Sequence, residues 1–147
     1  IIVTGRLKQS LSAFGEHVIV KEVEQAIEQA ILKTGNIVVE FTVAPRFKSK
    51  SLPACHEWFI EFEGNVVEIN NFKSLLDYEL QKQNKYYKDL IEGKIIEKPV
   101  ISKIIKGGFK KYMSSIGKLG GQNKVPKIAD NREIADRLKK LNLIESI

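Results

Sequence analysis

Apolar residues recur along the chain with two different spacings, and the changes from one to the other divide it into elements. Val18, Ile19, Val23, Ala26, Ile27, Ala30 and Ile31 fall on one helical stripe, with Gly35 as its stop. Ile37–Val43 is β-rich and puts Ile37, Val39, Phe41 and Val43 on one face. Residues 45–55, with Pro45, Lys48, Lys50 and Pro53, read as an exposed connection. His56–Glu63 alternates: Trp58, Ile60 and Phe62 face one way, Glu57, Glu61 and Glu63 the other. This predicts two antiparallel strands that show water one face. A long helix follows, N-capped by Asn71, striped by Leu76, Leu80, Tyr87 and Ile91, and ended by Gly93. Pro99–Ile105 reads as a third substantial strand, and Phe109, Tyr112, Met113 and Ile116 as a short helix. Gly117–Lys127 is a glycine-rich basic loop. The last helix is predicted to start at Asp130, paired with Glu133 as in a capping box, and to bury Ile134, Leu138 and Leu141.

This order implies an α+β fold: a small mixed β-sheet of about three to four strands packed with helices. The 147 residues suit one compact domain spanning 1–147. The opening Ile1-Ile2-Val3-Thr4-Gly5-Arg6 reads as a strand end entering a turn, followed by a loop over Leu7–His17. A domain seldom begins there, so the native chain is expected to continue upstream.

Composition narrows the setting. At 43% hydrophobic and 29% charged residues the chain is ordinary for a globular protein. No apolar run approaches the ~18–20 residues that span a bilayer, so no membrane partner is expected. Ile1–Val3 is too short for a secretory core. The single cysteine, Cys55, cannot form an internal disulfide, which favours a reducing, cytoplasmic location.

The net charge of +6 is unevenly placed. Lys94–Lys140 holds 13 Lys/Arg against 4 Asp/Glu, a net +9, and the rest is −3. A basic C-terminal third suits a polyanion, either a nucleotide phosphate or nucleic acid, although a solvated lysine surface has the same composition.

Five of the ten glycines lie between Gly107 and Gly121. Glycine lets backbone approach a ligand, and lysine brings a point charge to a phosphate. The loop is not a Walker motif, because Gly117-Lys118 is followed by Leu119. Elsewhere the chemistry is thin. His17 and His56 lack Cys or Asp at metal spacing. Cys55 and His56 are strand neighbours pointing to opposite faces, so they are no nucleophile–base pair. Glu57, Glu61 and Glu63 read as solvated. With no triad or carboxylate dyad, the domain alone is expected to catalyse nothing.

Three stretches carry a resemblance. Leu76-Asp77-Tyr78-Glu79-Leu80-Gln81-Lys82-Gln83-Asn84-Lys85-Tyr86-Tyr87 resembles the Leu-Asp-x-x-Leu-x-x-x-Asn-x-x-Tyr helix of the auxin-responsive Gretchen Hagen family of acyl acid–amido synthetases. Gly117-Lys118-Leu119-Gly120-Gly121-Gln122-Asn123-Lys124-Val125-Pro126-Lys127 is similar to the glycine–Gln–Asn/His–Lys–Val–Pro–Arg signature of its bacterial members, with Lys127 in place of Arg. Thr4-Gly5-Arg6-Leu7, with Ala13-Phe14-Gly15-Glu16-His17-Val18, resembles the family's crossover into its C-terminal domain. The matches occur in the family's order and together span nearly the whole chain.

The resemblance implies the C-terminal lid domain of an adenylate-forming enzyme. Its N-terminal domain, the expected partner, binds ATP, Mg²⁺ and a carboxylic acid, and the lid closes over it. An acyl-adenylate and pyrophosphate form, and an amino acid amine then attacks to give an amide and AMP. By motif position Lys124 is the implied catalytic lysine, with Lys118 as the reserve. Gln122, Asn123 and Arg6 are the implied nucleotide contacts, and Thr4, Gly5 and Arg6 the hinge. Two other readings stand beside it: a basic nucleic-acid-binding module and a protein-interaction domain without catalysis. Against the nucleic-acid reading, aromatics do not interleave with the lysines as a stacking platform requires.

Overall fold

The computed structural model describes residues 10–117 and 124–145. Two short strands open it, β1 (Ser10–Leu11) and β2 (Val18–Ile19), paired antiparallel. Helix α1 therefore starts only at Val20 and runs to Thr34, and Val18 and Ile19 belong to the ladder, not to its stripe. Glu22 accepts the N–H of Ile19 at 3.1 Å, which fixes that start. Gly35 ends the helix in the left-handed region (φ 80°), its N–H bonded to the Ile31 carbonyl.

Strands β3 (Ile37–Arg46) and β4 (Cys55–Glu63) pair antiparallel, and β5 (Val100–Lys103) joins β4 in parallel. The expected mixed sheet thus has three strands in the order β3-β4-β5. A bulge between Val38 and Glu40 interrupts the predicted apolar face of β3. Ile37 and Val39 are 57% and 54% exposed, whereas Phe41 and Val43 are buried.

The predicted long helix is two: α2 (Ile69–Gln83) and α3 (Lys85–Glu92). Asn84 divides them in an extended conformation (φ −133°, ψ 105°). Its side-chain oxygen accepts the Tyr87 N–H at 2.8 Å and caps α3. Its amide nitrogen donates to the Glu16 carbonyl and the Glu22 carboxylate. Asn71 is not a cap; it sits inside the first turn of α2 and donates to Glu68, which holds the capping position.

Helices α4 (Gly108–Ser115) and α5 (Glu133–Lys140) complete the fold. Asp130 does not start α5: Asn131 accepts the Glu133 N–H, and Asp130 accepts the backbone N–H of Ser12 at 2.8 Å. Leu138 is buried as predicted, while Leu141 is 37% exposed.

Helices cover both faces of the sheet. Phe41, Val43, Trp58 and Ile60 pack with Val23, Ala26 and Ile27 of α1, Phe72, Leu76 and Leu80 of α2, and Tyr87 of α3. Ala44 and Phe59 pack on the other side with Phe109, Tyr112 and Met113 of α4 and Ala135 and Leu138 of α5. The water-facing surface expected for β4 is therefore absent, and Glu57 and Glu61 are each only 5% exposed. Each carboxylate is matched, as buried charge requires. Glu57 accepts from Ser102 Oγ at 2.6 Å and Arg132 Nη1 at 2.7 Å. Glu61 accepts the N–H groups of Gly107 and Phe109, filling the orphan donors at the start of α4. Glu63, at the strand end, is exposed as predicted.

Candidate functional site

Of the implied site residues, Lys124 is the one placed by the structure. Its side chain is exposed, and the residues after it are firmly held. Val125 is 3% exposed and packs in the core of α4 and α5 with Ala44 and Phe59. Ile128 is 2% exposed and packs in the opposite core with Phe41, Val43 and Trp58. The segment from Val125 to Ile128 thus passes along the edge of β3 from one core to the other. Backbone bonds fasten it there: Val43 N–H donates to the Lys127 carbonyl and Ala129 N–H to the Val43 carbonyl, both at 2.9 Å. They make a parallel bridge between Val43 and Ile128.

The side chain of Lys127 turns back on the same strand. Its ammonium pairs with the Glu40 carboxylate and lies 4.8 Å from the centroid of the Phe41 ring. Glu40 Oε1 also accepts the Phe41 N–H at 3.1 Å. The β3 bulge immediately precedes Glu40.

The bond from Ser12 N–H to Asp130 ties the first described residues of the crossover to the exit of the lysine loop. Thr4, Gly5 and Arg6, and with them Lys118, Gln122 and Asn123, lie outside the described residues.

A buried polar string was not legible from spacing. Glu16 and His56 are both fully buried, and Glu16 Oε2 lies 2.6 Å from His56 Nε2. A carboxylate only accepts, which puts the imidazole proton on Nε2. The other carboxylate oxygen accepts the Phe14 N–H at 2.8 Å. The His56 ring lies 5.0 Å from that of Tyr87, whose hydroxyl donates to Asp77 at 2.8 Å. Asp77, Asn84 and Tyr87 of the helical motif and Glu16 of the crossover motif therefore meet in one place. Their joint appearance in two sequence motifs was the available signal. The string anchors the crossover to α2 and α3.

Cys55 is fully buried, and burial pushes its thiol above the ordinary 9.0, with the Arg46 charge opposing. It is packed apolar surface, not a nucleophile. Among the described residues no three His, Cys, Asp or Glu side chains gather as a metal site.

Tyr87 gives the domain a pH signature. Burial pushes its phenol well above 10.0, with the neighbouring Asp77 charge and hydrogen bond adding to the shift. Above pH 10.0 the unfolded chain releases this proton while the native domain keeps it, so stability is complete below that pH and falls as pH rises. Denaturant midpoints measured across that range are expected to fall, and to fall less steeply for Tyr87→Phe. A residual slope stays in the variant, because Tyr112 and Cys55 are shifted in the same direction by burial.

The sequence pattern of the GH3 family C-terminal domain matches residues 21–133. Among solved structures the chain is similar to "GH3.15 acyl acid amido synthetase", with a TM-score of 0.71 and 18% identity. It is also similar to "AtGH3.15 acyl acid amido synthetase in complex with 2,4-DB", with a TM-score of 0.69 and 18% identity. Both likenesses cover 95% of this chain and 26% of the other, so it spans about a quarter of the length of those synthetases. At that identity they establish the fold alone. No curated protein matches the sequence. With 21–133 of its residues matched, the chain belongs to the GH3 family, as a C-terminal domain of it.

Proposed function

We propose that this domain is the lid of an ATP-dependent ligase that adenylates a carboxylic acid and joins it to an amino acid amine. The observation that carries the reading is the placement of Lys124: an exposed cation next in sequence to the glycine-rich stretch, immediately before a segment anchored in both cores.

A carboxylate is a poor electrophile until its oxygen becomes a leaving group. In adenylation a carboxylate oxygen attacks the α-phosphorus of ATP, the bond to the β-phosphate breaks, and pyrophosphate leaves. Negative charge develops on the α-phosphate oxygens, and a lysine held there by lid closure stabilises it. The amine nitrogen then attacks the acyl carbon, the bond to AMP breaks, and the nitrogen loses a proton. Lys124 serves the first of these steps. The hinge proposed at Thr4-Gly5-Arg6 carries it in and out, and Gln122, Asn123 and Arg6 are proposed to meet the nucleotide. A single lysine suits a phosphate oxygen, and the Mg²⁺ that accompanies ATP is proposed to be held mainly by the N-terminal domain. ATP, acid and amine are proposed to sit mainly on an N-terminal domain, in the cytoplasm.

The test is acid-dependent exchange between ATP and pyrophosphate. The full-length protein is expected to catalyse it with some carboxylic acid in a panel, and the 147-residue chain to catalyse none. Robust exchange by the chain alone would falsify the lid reading. So would steeply salt-dependent oligonucleotide binding by a full-length protein that adenylates no acid.

A further inference from the structure

The ion pair between Lys127 and Glu40 looks at first like a minor surface contact, but its location gives it a second role. Both side chains are partly shielded, at 27% and 15% exposure. The ammonium also covers the Phe41 ring, so it is held by charge and by an aromatic face. The Glu40 oxygen it meets is already fixed by the Phe41 N–H. On the backbone of the same residue, the Lys127 carbonyl accepts the Val43 N–H. Lys127 is therefore held on β3 at two points, three residues after Lys124.

We propose that Lys127 and Glu40 form a clasp that sets the position of Lys124, making both positioning residues for adenylation. The clasp rests on the lid reading above for its catalytic consequence, though not for its structure. It assigns Lys127 away from the nucleotide: its ammonium is engaged by Glu40, leaving the phosphate charge to Lys124. Without it, the chain after Lys124 keeps its buried anchors and backbone bonds but loses its side-chain hold on β3. A displacement of about 1 Å at a catalytic group can cost on the order of a hundredfold in rate.

The catalytic arm uses the full-length protein and the same exchange assay. Lys127→Ala and Glu40→Gln are expected each to lower kcat by about ten- to a hundredfold with KM for ATP little changed. Lys127→Arg, which can still reach a carboxylate, is expected to restore most of the rate. In a Lys124→Ala background, Lys127→Ala is expected to remove nothing further, because the group it positions is gone. A raised KM for ATP with kcat intact would overturn the clasp in favour of a direct phosphate contact. An equal further loss in the Lys124→Ala background would overturn it too, as would wild-type rates in both single variants. Glu40→Gln keeps an oxygen for the Phe41 N–H, so it covers the case in which Lys127→Ala fails to fold.

The structural arm is independent of any activity. In the 147-residue chain, Lys127→Ala is expected to speed hydrogen exchange at the amides of Val43 and Ala129, which close the bridge to this segment. Unchanged protection there would refute the clasp itself. Faster exchange together with a full-length protein that adenylates no acid would leave the clasp standing and remove the lid reading.

Discussion

In the full-length protein, Lys124→Ala is expected to slow acyl-adenylate formation by about 10²–10³-fold while leaving the fold intact. The magnitude follows from the role proposed for the lysine. Removing one preorganised donor from a developing oxyanion typically costs that much, because water cannot replace a charge already aimed at the right atom. The fold is expected to survive because the Lys124 side chain is exposed and the buried anchors follow it in sequence. Exposed substitutions of this kind usually change stability by less than about 0.5 kcal/mol. Two measurements together decide the matter: single-turnover adenylation and the thermal midpoint. A normal rate would take Lys124 out of the mechanism and pass the role to Lys118. A collapsed midpoint would mean that the rate loss reports unfolding.

The second large effect concerns stability. Glu16→Ala is expected to cost about 3–5 kcal/mol, and Glu16→Gln distinctly less. A domain has only about 5–15 kcal/mol to lose, so the alanine variant should be close to unfolding at ordinary temperature. The asymmetry comes from what each change leaves behind. Alanine strands the fully buried Nε2 proton of His56 and takes the acceptor from the half-buried N–H of Phe14. His56 Nδ1 already has no partner among the described residues, so the whole ring would lack hydrogen bonds. Glutamine keeps one accepting oxygen and fills the same volume, so part of the network survives. Urea titrations of the two variants provide the comparison, and equal, small losses would show that the Glu16–His56 pair contributes little.

The fold class could be read from the chain because the main elements announce themselves locally. The apolar stripe of α1 from Val23 onward, the existence of β3 and β4 and the stop at Gly35 all survive in the structure. What could not be read depends on neighbours distant in sequence. Alternation in β4 shows that Glu57 and Glu61 share a face, but not that α4 and α5 cover it. Asn84 looks like an ordinary polar position in a helix until Glu16 and Glu22 provide partners that favour an extended residue there. The bulge before Glu40 breaks an apolar stripe that the residue types alone would continue. The candidate site was reached in a different way. Spacing gave a glycine and lysine loop with no assigned chemistry, and the order of three motifs singled out Lys124. The clasp was invisible because Glu40 lies 87 positions from Lys127. No local pattern encodes a pair at that separation.

The edge of β3 also bears on how the domain behaves at high concentration. An open strand edge is a template on which a second copy can add, and proteins that carry one risk growing into fibrous assemblies. Here the outward groups of Val43 are taken by Lys127 and Ala129, and the N–H of Phe41 by a carboxylate. The bulge twists the remaining start of the strand out of register, and the paired charges of Glu40 and Lys127 stand on the rim. The groups held at this edge therefore also shield it against the addition of a second copy. Loosening them would leave more of the β3 edge open to such pairing.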